Sequence, residues 1–231
     1  MRRTSAAAAV VAAIAVFLGL GAWQVQRLAW KRDLIARVEA RLDAAPVAVP
    51  GPDAWDGLTR DADEYARVTV GGRFLHDREV QTLAVTERGS GYWVVTPLAT
   101  RDFTLLINRG FVPADRRDPA TRTEGQVPDE VTVSGLLRLS EPGGGFLRAN
   151  RPAAGRWYSR DVAAIAAAAG LGGPVAPYFV DADAAPNPGG LPIGGMTVVH
   201  FRNPHLSYAL TWFALAAGLG WLALRAPRRR G

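Results

Sequence analysis

The sequence predicts a membrane protein in which two transmembrane α-helices flank an α+β, mainly antiparallel β, extracytoplasmic domain. Three observations carry this. No charged residue occurs from Thr4 to Gln26, and none from Leu206 to Leu224. At 1.5 Å per residue the second run spans about 28 Å, roughly the thickness of a bilayer core. Between the two runs lie short stretches rich in β-branched and aromatic residues, divided by Gly, Ser and Asp, the mark of successive strands.

The elements follow in order. Residues 1–5, with Arg2 and Arg3, form a basic cytoplasmic start, and residues 6–28 the first transmembrane helix. A cleaved signal peptide is the competing reading. The apolar run is longer than the usual signal core of about 7–15 residues. The exit "GAWQVQRLAW" also offers no small-x-small cleavage site, so the segment is read as a retained anchor. Residues 29–64 form a helical extension and linker: Leu34, Val38, Leu42 and Ala45 recur at helical spacing, and Pro46, Pro50, Gly51 and Pro52 end the helix. Residues 65–204 form the β-rich domain, with strands expected in "YARVTVGGRF", "EVQTLAV", "YWVVTPL", "FTLLINRGFV", "EVTVSGLLRL", "PYFVDA" and "MTVVHF". One helix interrupts them in "RDVAAIAAAAG", with Ser159 as N-cap, Asp161 in the first turn and Gly170 at the C-terminus. A loop, "DADAAPNPGGLPIGG", precedes the last strand. The second transmembrane helix takes residues 205–224, and 225–231 form a basic cytoplasmic tail.

Charge distribution restricts function and sets the orientation. The chain has 27 Lys and Arg against 21 Asp and Glu. Six arginines (Arg2, Arg3, Arg225, Arg228, Arg229 and Arg230) lie outside the apolar runs, and removing them leaves 21 bases against 21 acids. The basic surplus is terminal, so it does not indicate nucleic-acid binding. Basic flanks favour the cytoplasm, which places both termini inside and the domain outside. Arg27, Lys31 and Arg32, at the outer end of the first helix, argue the other way. The chain has no Cys, which excludes disulfides, covalent haem attachment through C-x-x-C-H and thiolate metal sites. Met196 is the one methionine after Met1, which excludes a Met-rich copper site.

Several motifs have a plain reading beside a sharper one. Trp23, Arg27, Trp30 and Leu34 share one helical face. They form either an interfacial aromatic belt with a snorkelling arginine or a docking face in which Arg27 meets a partner or a haem propionate. Gln24, one turn inside, is costly if it faces lipid. Asn108, Arg109 and Gly110 read as a hairpin turn with Gly110 at positive φ. "EPGGGF" lacks the Gly-Lys-Ser/Thr of a phosphate loop, and "RGSGYW" has Arg88 where a nucleophile elbow needs glycine. His76 and His200 read as a loop and a strand histidine. No nucleophile constellation or metal triad is legible, so the chain is not read as an enzyme. With His205 at zero on a helical wheel of about 100° per residue, Tyr208, Ala209, Trp212, Ala216 and Gly220 all fall within about 60° of it. An imidazole, two aromatics and small residues on one face admit a neighbouring helix or a flat macrocycle. The competing reading is that His205 only begins the helix at headgroup level.

The segments "WQVQRLAWKRDLI", "NRGFVP", "GRWYSRD", "PYFVDAD" and "NPHLSYALTWFALA" resemble those of the surfeit locus 1 family, and the likeness runs from end to end of the chain. The resemblance implies an assembly factor for haem-copper cytochrome c oxidase that handles haem a on its way to the catalytic subunit. It implies membrane lipid, that subunit and haem a synthase as partners. It also implies that His205 is an axial ligand of the haem iron. Given that ligand, the helical face is expected to set Tyr208 and Trp212 against the macrocycle, with Ala209 and Ala216 leaving room for it and Arg27 or Arg202 beside the propionates. The alternative is a membrane-tethered interaction module that organises oxidase subunits without haem. With no transit peptide ahead of the first helix and Ala, Arg, Gly and Pro abundant, a bacterial plasma membrane is expected.

Overall fold

The structure, a computed structural model, describes residues 2–145, 147–197, 199 and 203–225. In chain order the elements are α1 (Arg2–Asp43), β1 (Val47–Ala48), α2 (Arg60–Asp63), β2 (Arg67–Phe74), β3 (Val80–Thr86), β4 (Gly89–Ala99), β5 (Thr104–Pro113), β6 (Glu130–Leu139), β7 (Gly144–Gly145), β8 (Arg148–Ala149), α3 (Val162–Ala168), β9 (Val175–Ala182) and α4 (His205–Arg225). They divide into two units, residues 1–39 with 199–231, and residues 40–198.

The first unit holds most of α1 and all of α4. Both are long and apolar enough to cross a membrane. Their apolar side chains point outward, as with Val11 at 67% exposure and Leu210 at 61%. Helices that bare this much apolar surface need a non-aqueous surrounding. The two helices run antiparallel: Phe17 stacks on Trp212 with ring centroids 5.7 Å apart, Gln24 bonds His205, and Ile14 lies beside Gly220.

The second unit is built on a seven-stranded sheet in the order β1-β2-β6-β9-β5-β4-β3. An added β2–β4 pairing, Arg73 with Ala99 and Phe74 with Leu98, closes β2, β6, β9, β5 and β4 into a barrel. Strand alternation sorts its side chains. Leu105, Ile107, Tyr178 and Val180 join Val68, Leu98 and Leu137 in one buried cluster. Their neighbours Leu106 and Phe179 join Val95, Trp157, Val162 and Ile165 in a second, beneath α3. Each such side chain contributes roughly 1.5–3 kcal/mol of burial.

The sheet is mixed rather than antiparallel throughout. β1 runs parallel to β2 and β5 parallel to β9. Parallel neighbours need a long crossover, and the chain between β5 and β9, which includes β6 and α3, supplies it. The stretch read as linker is part of this unit. Val49, Trp55 and Leu58 pack against the first cluster, and the Pro50 carbonyl accepts from both Trp55 Nε1 and the Tyr178 hydroxyl. The cap of α3 is Asp161, which accepts from Ala164 N–H at 3.1 Å. Ser159 instead donates to the Glu141 carbonyl. Gly170, at φ 60°, ends that helix as expected. Met196, Thr197 and Val199 lie in no strand, whereas Val198, His200 and Phe201 are outside the described residues. Ile193 bridges β5 instead, at Phe111.

Candidate functional site

In the helix pair, α4 begins at His205. The Pro204 carbonyl accepts from Tyr208 N–H (3.3 Å) and from the Ser207 hydroxyl (2.7 Å). Ala209 and Ala216 are 2% and 4% exposed, and the Phe213 ring occupies the space where Gly21 would carry a Cβ. The small-residue face of α4 therefore packs within the helix pair, and the room it leaves is filled there. Trp212 faces Phe17. Tyr208 is 53% exposed. Arg27 lies over the Trp30 ring at 4.1 Å, and Trp23 and Trp30 are exposed, as an interfacial belt requires. Arg202 lies outside the described residues.

His205 Nδ1 stands 2.7 Å from Gln24 Oε1. An amide oxygen only accepts, so Nδ1 carries the proton. In neutral imidazole that leaves the Nε2 lone pair free. This is how a metal-binding histidine is usually held, with one nitrogen donating to an acceptor and the other open. The sequence marked Gln24 only as costly in lipid, because its partner is 181 positions away and only the pairing of the helices reveals it.

The barrel unit contains a second polar cluster that the sequence reading missed. Asp181, on β9, is 2% exposed. Its carboxylate meets Arg138 Nη1 at 2.9 Å and Arg160 Nη1 at 3.2 Å. It also accepts from Asn108 Nδ2 at 2.7 Å and Thr197 Oγ1 at 3.0 Å. Arg138 reaches Glu64 at 3.2 Å and Arg160 reaches Glu141 at 2.6 Å, and Arg60 also pairs with Glu64. Burial pushes the Glu141 carboxyl up, but the Arg160 hydrogen bonds and charge outweigh it and hold Glu141 below the usual carboxylate range. A cleft of about 530 Å³ lies over this cluster, lined by Tyr65, Trp93, Asn108, Arg160 and Met196 among others. With three cations against three anions, the network is internally compensated and ties β5, β6 and β9 together. The only signal in the sequence was an acid ending the buried run "PYFVD".

Asn108, Arg109 and Gly110 do not form a hairpin turn. They lie within β5, where the register against β4 shifts between Val94 and Val95. This makes Arg109 the extra residue of a β-bulge. Gly110 has the expected positive φ, 127°, but a bulge uses that conformation as readily as a turn. His76 sits in a short 3-10 turn with Nε2 3.0 Å from the Val127 carbonyl.

Comparison with known proteins covers nearly all of this. The SURF1 family pattern matches residues 11–217. Surfeit locus protein 1 of Rattus norvegicus is 39% identical over 233 residues, 94% of this chain and 74% of the rat protein. The Homo sapiens protein of the same name is 39% identical over 222 residues, 88% of this chain and 71% of its own. The SURF1-like protein of Drosophila melanogaster is 39% identical, covering 91% and 74%. The barrel, α1 from Val11 onward and α4 as far as Ala217 fall inside the matched span, and the chain belongs to the SURF1 family.

Proposed function

We propose that this protein is a non-enzymatic assembly factor for haem-copper cytochrome c oxidase, and that it holds haem a at His205 before the haem passes to the catalytic subunit. The observation that carries the reading is the Gln24–His205 hydrogen bond. Of the two neutral tautomers it selects the one protonated at Nδ1, which leaves Nε2 for an axial haem ligand's bond to iron. The exposed Tyr208 ring, one turn along, offers an apolar surface at the same edge. The alanine face belongs to the helix pair, so a macrocycle approaches at the His205–Tyr208 edge rather than over Ala209 and Ala216. Bound there, haem a would contribute its iron and its redox chemistry.

The protein sits in a bacterial plasma membrane with both termini cytoplasmic and the barrel outside. Haem a synthase supplies the haem and the oxidase catalytic subunit receives it. The test is the absorbance spectrum of the detergent-extracted full chain, expressed in cells that make haem a. A haem Soret band that copurifies with the chain is expected. Haem-free protein that still supports oxidase assembly would instead establish an interaction module.

A further inference from the structure

The outer edge of the barrel unit carries arginines that no acid answers. From Pro142 to Tyr158 the chain has Arg148, Arg151 and Arg156 but no Asp or Glu. Arg148 and Arg156 line a cleft of about 360 Å³ with Arg117, Leu83, Tyr92 and Tyr158. All three of these arginines are exposed. Among the described residues none of the three forms an ion pair. The adjoining cleft, which shares Arg117, holds Asp77 and Glu79. Asp77 stands 3.7 Å from Arg78 Nε, and Glu79 is forked on Arg122. Asp115 and Asp118 balance Arg116 and Arg117 along the chain, and Asp118 accepts from Ala120 N–H. The surplus positive charge therefore belongs to the 142–158 stretch.

Strand register builds the floor of this cleft. Leu83 on β3 pairs with Tyr92 on β4. On the other side of β3, Thr82 bridges to Trp157, and the Trp157 carbonyl accepts from Leu83 N–H at 2.9 Å. Thr82 and Trp157 are buried, so the residues after them, Leu83 and Tyr158, turn to the outer face. Tyr92, Leu83 and Tyr158 thus stand in a row about 10 Å from end to end at the usual strand spacing. The Arg117 guanidinium lies 4.6 Å from the Tyr92 ring, and that of Arg148 5.6 Å from the Tyr158 ring. Arg117 Nη2 also reaches the Gly155 carbonyl at 3.4 Å. Stacking on a ring leaves the other guanidinium N–H groups free to donate. Each end of the row carries a cation, and its centre is apolar. We propose that this row docks an extended acidic segment of a partner protein. Two carboxylates three positions apart span about 10 Å of extended chain and meet Arg117 and Arg148, with an apolar side chain between them on Leu83. Tyr and Arg are the side chains that most often dominate protein interfaces. Cations at both ends of a row suit two spaced carboxylates better than one compact phosphate. Arg156 adds its charge to the same cleft.

The experiment is fluorescence anisotropy of a labelled peptide, Glu-Glu-Leu-Leu-Glu-Glu with blocked ends, titrated with the full chain in non-ionic detergent. Saturable one-to-one binding that weakens as salt is added is expected. The same peptide with Gln for every Glu should not bind, and Ser for both Leu should weaken binding. Arg117→Gln and Arg148→Gln should each weaken it about threefold, and the double variant about tenfold, as exposed ion pairs do. These side chains are exposed, so the variants should melt like the wild type. Arg88→Gln, an exposed arginine outside the cleft's lining, should bind as the wild type does and separates this site from general attraction to a basic chain. Absence of saturable binding, equal binding by the serine peptide or by the double variant, or an equal loss in Arg88→Gln would each overturn the proposal. So would displacement of the peptide by inorganic phosphate at equal ionic strength or by phosphatidylglycerol in the micelle. None of these readouts depends on haem.

Discussion

At the scale of single residues, one hydrogen bond sets the chemistry of the helix pair. On the proposed reading Gln24 acts on His205 by positioning it, with no contact to haem required. Replacing Gln24 with Leu removes the acceptor and frees the ring to rotate and change tautomer. Loss of a partner of this kind typically weakens metal binding about 10–100-fold. Gln24→Leu should therefore bind haem that much more weakly, and Gln24→Glu, which keeps an acceptor, should restore it. Equal haem affinity in all three proteins, measured by titration, would show that the bond plays no part. Helical periodicity is local, so His205, Tyr208 and Trp212 could be assigned to neighbouring positions around one helix from the sequence. It could not say that Trp212 spends that face on Phe17, or that Gln24 answers His205, since both depend on a helix far away in the chain. Asp181 was missed for the same reason: its partners Asn108, Arg138 and Arg160 come from three separate segments.

At the scale of elements, alternation made β2 to β6 and β9 legible, and an alanine run with an aspartate before it and a glycine after it revealed α3. The β5 bulge was hidden because Asn-Arg-Gly with a positive-φ glycine suits a turn and a bulge alike. The structure adds a second reason for Gly110. A Cβ there would fall on the Ile193 carbonyl, which accepts from Phe111 N–H at 2.8 Å. Gly110→Ala combines that collision with a strained φ and should cost about 3 kcal/mol, lowering Tm by roughly 6–12 °C in a chain of this size. Gly71, which has open space around it, is the control, and Gly71→Ala should melt within about 2 °C of wild type. Thermal unfolding of the two variants side by side decides between a bulge held by the 183–195 segment and a freely adjustable turn.

At the scale of the whole molecule, two apolar helices around a β-rich unit were plain from charge and hydropathy. The parallel pairings were not, because strand neighbours are chosen by crossovers that leave no local pattern. The proposed orientation rests on the terminal arginines, and the cysteine-free sequence allows a clean check. Val85 is 81% exposed on the barrel unit. Val85→Cys should react with a membrane-impermeant maleimide in intact spheroplasts, and labelling only after permeabilisation would invert the topology. The central claim, a haem held by His205, is tested most directly by the absorbance spectrum of His205→Ala beside the wild type, both extracted in detergent from cells making haem a. The account predicts a Soret band in the wild type and its loss in His205→Ala, with membrane insertion unchanged because the apolar run after position 205 is intact. A wild-type spectrum and haem content in His205→Ala would contradict it.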